Sequence, residues 1–394
     1  MYIMLLEVVL KYGGSPKIYW TPEHKAFRDY ESSTEREIEG EREMAELRTA
    51  GVVDAHRSSS YLLFHHAWKL LLRCHERTPA FVQGVFVQGR SRWHQRRFSH
   101  LKITMADGDP ICEWILGEGG ASKIKRVTPV GGGCINVANR YDTDFGVYFV
   151  KTNRDAETSM FEAEAAGLNA MLGTKTIRVP KPRKVGSLPR KGSYIIMEFI
   201  EFSFSGGNQA DLGRQLARMH KTGTSESGFG FVMDNTIGST PQPNPWTNDW
   251  VDFYREYRLG YQLKLVQQQY RDNDLYEKGQ RLLERLPFLL KDLKITPSLL
   301  HGDLWSGNVA YDKEGMPVIL DPACYYGHNE AEFGMSWCAG FGDPFYKAYF
   351  EVMPKQPGFE QRMPLYKLYH YLNHYNLFGS SYRSSCISII NRYL

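Results

Sequence analysis

The order of apolar and polar positions predicts strands first and helices later. Asp109 followed by Pro110 is a helix start, with an N-cap side chain and a proline at the first helical position, and this helix is expected to reach about Glu118. Apolar spacing predicts a longer helix at residues 158–173. Short apolar runs bounded by turn residues predict five strands, at residues 124–130, 137–141, 146–151, 185–188 and 194–199.

After Phe202 the apolar spacing becomes helical. The predicted helices cover residues 209–221, 246–269 and 275–293, and helical spacing resumes from Glu330 onward. A strand-rich segment followed by helices is typical of an α+β protein with two lobes. We therefore expect an N-lobe at residues 105–200 and a mostly helical C-lobe at residues 201–394.

Residues 1–104 differ in character from the rest of the sequence. Residues 34–48 are dense in Glu and Arg, which favours a solvated helix or a disordered charged segment. Residues 77–106 contain several Arg but no Asp or Glu, as an organelle transit peptide does, although this stretch is internal. Because Met105 resembles a domain start, we expect residues 1–104 to be an extension, a transit region or a gene-model artefact.

The overall composition gives no sign of a nucleic-acid or membrane partner. The 394 residues carry a formal net charge of +4, and 42% of them are hydrophobic, which is ordinary for a globular protein. No apolar run is long enough to predict a transmembrane helix. The six cysteines form no CxxC pair, so we expect free thiols in a reducing compartment rather than a disulfide framework.

The most specific chemical signal is the run H-G-D-L-W-S-G-N at residues 301–308, with Asp321 following a short apolar strand. An Asp and an Asn five residues apart, then a second Asp, is the spacing of a phosphoryl-transfer site. Asp303 is the candidate base for an attacking hydroxyl, and Asn308 and Asp321 are candidate ligands of Mg²⁺, which prefers oxygen donors. The alternative is a capped turn, since these residue types favour turns.

Three glycines between two predicted strands form a candidate phosphate loop. Their backbone N–H groups could bind phosphates, although three glycines suit any tight turn equally well. These residues are Gly131, Gly132 and Gly133. An apolar strand later in the chain leads into the link between the lobes, where backbone groups could hydrogen-bond to adenine. The residues at that position are Glu198, Phe199 and Ile200.

Lys151 ends the third predicted strand and is the candidate for the α and β phosphates of a nucleotide. The alternative is a solvated lysine at a strand end. The following helix offers two carboxylates that could hold this lysine in place. We favour Glu164 over Glu162 because Glu164 lies beside the small-residue stripe that is expected to face the sheet.

Several other side chains near these motifs have less specific patterns. Trp305 is either a core residue or one wall of a sugar site, and His328 is a weaker candidate for the same pocket. His220, at the end of a predicted helix, is expected to be structural. His301 is expected to pack and hydrogen-bond near Asp321 rather than act as the base.

These motifs together resemble the fructosamine-3-kinase family, also called ketosamine-3-kinases. The resemblance is carried by H-G-D-L-W-S-G-N, D-P-A-C-Y-Y-G-H and I-I-M-E-F, while G-G-G-C-I-N and F-G-M-S-W-C-A-G-F-G resemble the plant-type branch. It extends from about Met105 to Leu394, and residues 1–104 have no counterpart. Related aminoglycoside and choline kinases share H-G-D-x-x-x-x-N but lack the Trp and the A-C-Y-Y-G-H segment.

The resemblance implies a two-lobed, protein-kinase-like fold that uses ATP and Mg²⁺. In such a fold the N-lobe is an antiparallel sheet with one main helix. The expected reaction is phosphorylation of the 3-hydroxyl of ketosamines, which are ribulosamine or fructosamine adducts on protein lysines, and it leads to deglycation. The resemblance assigns the base to Asp303, the metal ligands to Asn308 and Asp321, and the nucleotide lysine to Lys151 with Glu164.

The resemblance also implies partners and a compartment. Glycated proteins or small ketosamines would be the substrates, and the chain would be a monomer or a homodimer, with a redox-sensitive disulfide through Cys134 as one option. The other option is that Cys134 simply fills a turn. A plastid location follows from the resemblance, and a cytoplasmic one if translation begins near Met105. Rival functions are another small-molecule kinase of this fold and a nucleotide-binding scaffold without activity.

Overall fold

An antiparallel sheet of five strands and one long helix form the first lobe of the structure. This computed structural model describes residues 108–131, 136–203 and 206–394. The strand order is β1-β2-β3-β5-β4, and every neighbouring pair is antiparallel. The strands are β1 (Ile124–Val130), β2 (Val137–Thr143), β3 (Val147–Asn153), β4 (Pro182–Ser187) and β5 (Ser193–Glu198).

Two helices cover opposite faces of this sheet, because successive side chains of a strand alternate between its faces. Tyr148 and Val150 of β3 belong to a small buried cluster with Ile115 of helix α1 (Pro110–Leu116). Helix α2 (Thr158–Thr174) lies on the other face and belongs to the larger core of the protein. Lys151 alternates with Val150 and therefore faces the side of α2.

The second lobe is mostly helical. Its helices are α3 (Gln209–Thr222), α4 (Trp250–Tyr254), α5 (Tyr261–Tyr270), α6 (Asn273–Leu289), α7 (Ser336–Ala339), α8 (Asp343–Val352), α9 (Phe359–Phe378) and α10 (Arg383–Tyr393). A hairpin of two short strands lies between α3 and α4, namely β6 (Asn235–Ile237) and β7 (Thr240–Gln242). Helix α9 carries a long row of buried apolar residues and lies in the main core.

Two short strand pairs hold the segment that carries the predicted site. Strand β8 (Ser298–Leu300) pairs with β11 (Tyr325–Gly327), and β9 (Val309–Tyr311) pairs with β10 (Pro317–Ile319). Since β8 and β9 flank the turn at residues 301–308, while β10 and β11 flank residues 320–324, the two pairings bring both turns to the same place.

The two-lobed α+β order predicted from the sequence is confirmed, and the five predicted N-lobe strands are present. The predicted helix at residues 246–269 begins later, at Trp250, because the Asp249 carboxylate caps it by accepting from the backbone N–H of Asp252 at 2.9 Å. A π-helical segment, Arg255–Gly260, interrupts it. The expectations for residues 1–104 lie outside the described residues.

In the described part of the chain, no helix is both long and apolar enough to cross a membrane.

The buried ion pair between Arg362 and Glu330 joins α9 to the turn before α7. Arg362 donates from Nε and from a terminal nitrogen to the two Glu330 oxygens, at 2.8 and 2.6 Å, and both side chains are buried. Removing one partner leaves the other charge buried and unpaired, so we expect Arg362→Leu to lower the free energy of unfolding by about 3–5 kcal/mol. Urea denaturation followed by circular dichroism measures this.

The control is the exposed pair between Lys355 and Glu360, which ends on the same helix. Solvent screens such a pair, so Lys355→Ala should shift the urea midpoint far less. Equal shifts in the two variants would contradict this interpretation of the Arg362 pair.

Candidate active site

Lys151 lies between two carboxylates at the junction of the lobes. Its Nζ is 2.7 Å from Oε1 of Glu164, and it also forms an ion pair with Asp321. Burial alone would lower the pKa of Lys151, but the charges of Glu164 and Asp321 raise that pKa above its usual range. The lysine is therefore a protonated, fixed positive charge at the edge of the cleft.

Helix α2 delivers Glu164 because it packs closely on the segment that follows Asp321. A Cβ atom at Gly167 would lie 2.8 Å from the Cβ of Cys324, so only glycine allows this approach. Ala163 is buried beside this contact, whereas Glu162 is exposed. The structure agrees with the predicted choice of Glu164 over Glu162, because Glu164 contacts Lys151 and Glu162 points to solvent.

A buried carboxylate anchors the backbone of the turn that carries Asp303. Glu332 accepts the backbone N–H of His301 at 2.7 Å and that of Gly302 at 3.0 Å, and its third partner is Nε2 of His220 at 3.0 Å. Burial opposes the charge of Glu332, yet these hydrogen bonds and the nearby imidazoles hold its pKa below the usual range. Glu332 is thus a buried anion that is stabilised by the imidazole of His220 and by two backbone N–H groups of the turn.

His301 joins this turn to the one that carries Asp321. Its Nδ1 accepts from the backbone N–H of Asp303 at 3.3 Å, so the proton is on Nε2, which donates to the carbonyl of Leu320 at 2.7 Å. Burial lowers the pKa of His301 and keeps it neutral. The prediction that His301 packs and hydrogen-bonds near Asp321 is confirmed.

Gly302 has a conformation that other residues rarely adopt. Its φ is +80°, and a Cβ there would lie 2.2 Å from the carbonyl oxygen of Ala323. The glycine therefore allows the two turns to approach closely.

Asn308 and Asp321 lie next to the predicted base. The Nδ2 of Asn308 donates to the backbone carbonyl of Asp303 at 2.8 Å, which leaves the amide oxygen as the atom that can bind a cation. Asp321 has a left-handed φ of 54°, a conformation that Asp adopts more readily than most non-glycine residues. Its side chain is half exposed, in contrast to that of Lys151.

The electrostatic environment of Asp303 favours proton uptake. Burial raises the pKa of Asp303 to about 7, and the charges of Asp321 and Glu332 add to this rise, while the amide of Asn308 opposes it. A carboxylate with a pKa near neutrality is well suited to accept a proton from a hydroxyl.

The donor set near Asp303 fits a hard cation that also binds phosphate. Within residues 108–131, 136–203 and 206–394, no group of three or more His, Cys, Asp or Glu side chains is placed to hold a metal ion. Mg²⁺ does not require such a group, since it often binds one or two protein oxygens together with phosphate oxygens and water. The amide oxygen of Asn308 and the carboxylate of Asp321 fit that pattern.

The predicted adenine position follows the end of β5. The backbone N–H of Glu198 donates to the carbonyl of Lys181 at 2.9 Å, and the guanidinium of Arg140 lies 4.5 Å from the ring centre of Phe199. Phe199 and Ile200 line a cavity of about 390 Å³. This cavity borders the link between the lobes, and the assignment of adenine to residues 198–200 stays a prediction.

The remaining predicted residues have different outcomes. Gly131 directly follows β1 and is exposed, whereas Gly132, Gly133 and Cys134 lie outside the described residues. Trp305 is partly exposed on the same turn as Asp303, and its role as a sugar wall stays a prediction.

The prediction that His328 contacts the substrate is wrong in this structure. His328 is 1% exposed, its Nδ1 is 2.6 Å from the hydroxyl of Tyr366, and its ring packs edge-on against Trp250. Burial lowers its pKa to about 3, with a contribution from Arg362. A neutral imidazole inside the core is out of reach of a substrate.

Glu332 is the residue of this site that the sequence analysis missed. It lies in the segment N-E-A-E-F-G-M at residues 329–335, where Glu330, Ala331 and Phe333 are buried as well. Glu is almost never fully buried unless it is paired, but Glu330 gives the same local signal as Glu332. The partners of Glu332 lie about thirty and over a hundred residues away in the sequence and show no local pattern.

Comparison with known proteins places this site in a family. The model of the fructosamine kinase family matches residues 111–394. The chloroplastic protein-ribulosamine 3-kinase of Arabidopsis thaliana is 65% identical over 286 residues, which cover 73% of this chain and 88% of that protein. The ketosamine-3-kinase of Mus musculus is 42% identical over 296 residues, covering 69% and 96%.

A solved structure gives the same result. This structure is of a proposed fructosamine-3-kinase from Haemophilus somnus 129PT. It superposes on this chain with a TM-score of 0.63 at 26% sequence identity. The superposition covers 72% of this chain and 96% of the Haemophilus chain. The sequence match spans the whole site described above, from Lys151 to Glu332. This chain therefore belongs to the fructosamine kinase family.

Proposed function

We propose that this protein is an ATP-dependent ketosamine 3-kinase that phosphorylates ribulosamine or fructosamine adducts on lysine side chains. The observation that carries the proposal is the convergence of Lys151, Asp303, Asn308 and Asp321 at one cleft, inside the segment that matches the fructosamine kinase family. The relatives that share this segment are named as ribulosamine and ketosamine kinases. A different small-molecule kinase activity is not favoured.

In the proposed ATP site, the chain supplies a fixed positive charge and backbone donors. Lys151, held by Glu164, would contact the α and β phosphates, and the three glycines at residues 131–133 remain the proposed phosphate-binding loop. The link at residues 198–200 hydrogen-bonds to adenine. Asn308 and Asp321 would hold Mg²⁺, and the ion would neutralise negative charge on the phosphate oxygens.

In the proposed reaction, Asp303 orients the 3-hydroxyl of the ketosamine and accepts its proton. The hydroxyl oxygen forms a bond to the γ-phosphorus while the bond from that phosphorus to ADP breaks, so the products are ADP and the 3-phosphate. The pKa of Asp303, about 7, matches this task. A loose transition state demands little of the base beyond correct orientation.

The product chemistry explains how phosphorylation repairs a glycated lysine. The 3-phosphate lies next to the keto carbon of the adduct, and phosphate is a better leaving group than hydroxide. Loss of phosphate makes the remaining adduct unstable, and hydrolysis then restores the lysine amine. The enzyme itself needs only to place the phosphate on the correct oxygen.

We propose a plastid location, which the chloroplastic names of the Arabidopsis and rice relatives support. Residues 1–104 would then serve as an extension or transit region ahead of lobes at 105–200 and 201–394. The N-terminal mass of the protein recovered from plastids tests this. A mature N-terminus near residue 105 would support a cleaved transit region, whereas one well before residue 105 would exclude a transit region of that length and leave a retained extension.

A homodimer linked through Cys134 is the proposed redox-sensitive form. The four cysteines within the described residues are poor alternatives, because burial raises the pKa of each thiol and a thiol needs its thiolate form to react. These cysteines are Cys112, Cys324, Cys338 and Cys386. Oxidant should therefore lower activity and dithiothreitol should restore it. If oxidant inhibited Cys134→Ala as strongly as the parent chain, the proposal would fail.

The substrate assignment is tested with a peptide that carries one ribulosamine-modified lysine. We expect ADP release with gain of one phosphate on the peptide, and no comparable turnover of choline or an aminoglycoside. Asp303→Asn should lower kcat by about 10²–10⁴-fold, because general-base catalysis is lost, while nucleotide binding is retained. Turnover of another alcohol without turnover of any ketosamine would contradict the proposed function.

The role of Glu164 is tested by a matched pair of substitutions on α2. A hydrogen bond to a charged group contributes about 1.5–3 kcal/mol, so Glu164→Gln should lower kcat/KM for ATP by about tenfold or more. Glu162→Gln, two residues away and exposed, should leave this ratio within about twofold. Steady-state kinetics with varied ATP distinguish the two, and equal effects would remove Glu164 from the proposed site.

A further inference from the structure

Gly307 lies directly against the indole of Trp305. A Cβ atom at position 307 would be 2.3 Å from Cη2, 2.4 Å from Cζ2 and 2.8 Å from Cζ3 of Trp305. Carbon atoms in contact are normally about 3.5–4.0 Å apart. All three atoms belong to the six-membered ring of the indole, so any side chain at position 307 would displace that ring.

The local turn explains this contact. Residues Ser306–Asn308 form one 3₁₀ turn, and the backbone N–H of Asn308 donates to the carbonyl of Trp305 at 2.9 Å. This turn brings the side chain of residue 305 over residue 307. Unlike Gly302, Gly307 does not have a positive φ. The φ angle therefore does not require glycine here, and the three nearest atoms that a side chain would meet all belong to the indole.

The same turn also carries the proposed base. Trp305 follows Asp303 by two residues, and the Asn308 amide holds the Asp303 carbonyl at 2.8 Å. Trp305 is partly exposed, and Ser306 and Gly307 are exposed. The indole therefore lies at a solvent-accessible part of the turn, two residues along the chain from the proposed base.

We infer that Gly307 is a specificity-determining residue, which seats the Trp305 indole as one wall of the acceptor site for the amino-ketose part of the substrate. The inference rests on the proposed function. Ketosamines carry a secondary amine that is protonated near neutral pH, and the face of a Trp ring attracts such a cation. The glycine acts through the indole and is a positioning residue, with no contact to the phosphates.

Four chains test the inference: Gly307→Ala, Trp305→Ala, the double variant and the control Ser306→Ala. KM for the ribulosamine peptide should rise about tenfold in Gly307→Ala, the change expected when an aromatic contact of about 1–1.5 kcal/mol is lost. KM for ATP should stay within about twofold in the same variant. Ser306→Ala, an exposed neighbour, should match the parent chain in both constants.

The double variant distinguishes an effect through the indole from a general effect on the turn. If Gly307 acts only through Trp305, the double variant and Trp305→Ala will have the same KM for the peptide. A wild-type KM in Gly307→Ala, or a further rise in the double variant, would overturn the inference. The comparison of Trp305→Ala with the double variant stands even if Gly307→Ala alone does not fold.

These outcomes are separable from failure of the proposed function. If the parent chain does not phosphorylate the ribulosamine peptide, the proposed function fails. If the parent phosphorylates it and Gly307→Ala retains the parent KM, only the inference about Gly307 fails.

Discussion

The structure of the site depends on one buried negative charge, the carboxylate of Glu332. It has no solvent to stabilise it, and its partners are two backbone N–H groups of the turn at His301 and Gly302 and the imidazole of His220. An unpaired charge at this depth would be strongly unfavourable. The turn is therefore held in the conformation that presents these N–H groups to Glu332. Asp303 is the next residue in the chain, so the same turn sets its position.

A second constraint links this turn to the N-lobe. His301 hydrogen-bonds to the carbonyl of Leu320, which fixes the neighbouring turn, and Asp321 on that turn meets Lys151 of β3. Lys151 is in turn held by Glu164 on α2. The proposed base, metal ligands and nucleotide lysine are thus connected through a continuous series of hydrogen bonds and ion pairs, although they come from different lobes.

The sequence was most informative where the chemistry requires a fixed spacing. Asp303, Asn308 and Asp321 lie on one short segment, and Lys151 and Glu164 lie on a strand and the next helix, so local pattern was enough to suggest that they meet. The fold class followed from the same patterns, because strand and helix periodicities are local properties.

Other features depended on contacts between distant segments. His328 lies only a few residues after Asp321, but the packing of Tyr366 and Trp250 buries it, and sequence proximity gave no sign of this. Glu332 was missed because its partners come from α3 and from the turn after β8. The requirement for glycine at position 307 became visible only when the orientation of the Trp305 ring was known.

The most direct test of the account is the kinetic effect of Glu332→Gln. The amide keeps the shape of the side chain but replaces one acceptor oxygen with a donor, which then faces a backbone N–H or His220. We predict that kcat for the ribulosamine peptide falls at least about tenfold, the effect of losing about 1.4 kcal/mol of transition-state stabilisation, in protein that remains folded and binds ATP. A folded Glu332→Gln chain with the parent kcat would contradict the claim that this buried charge positions the base.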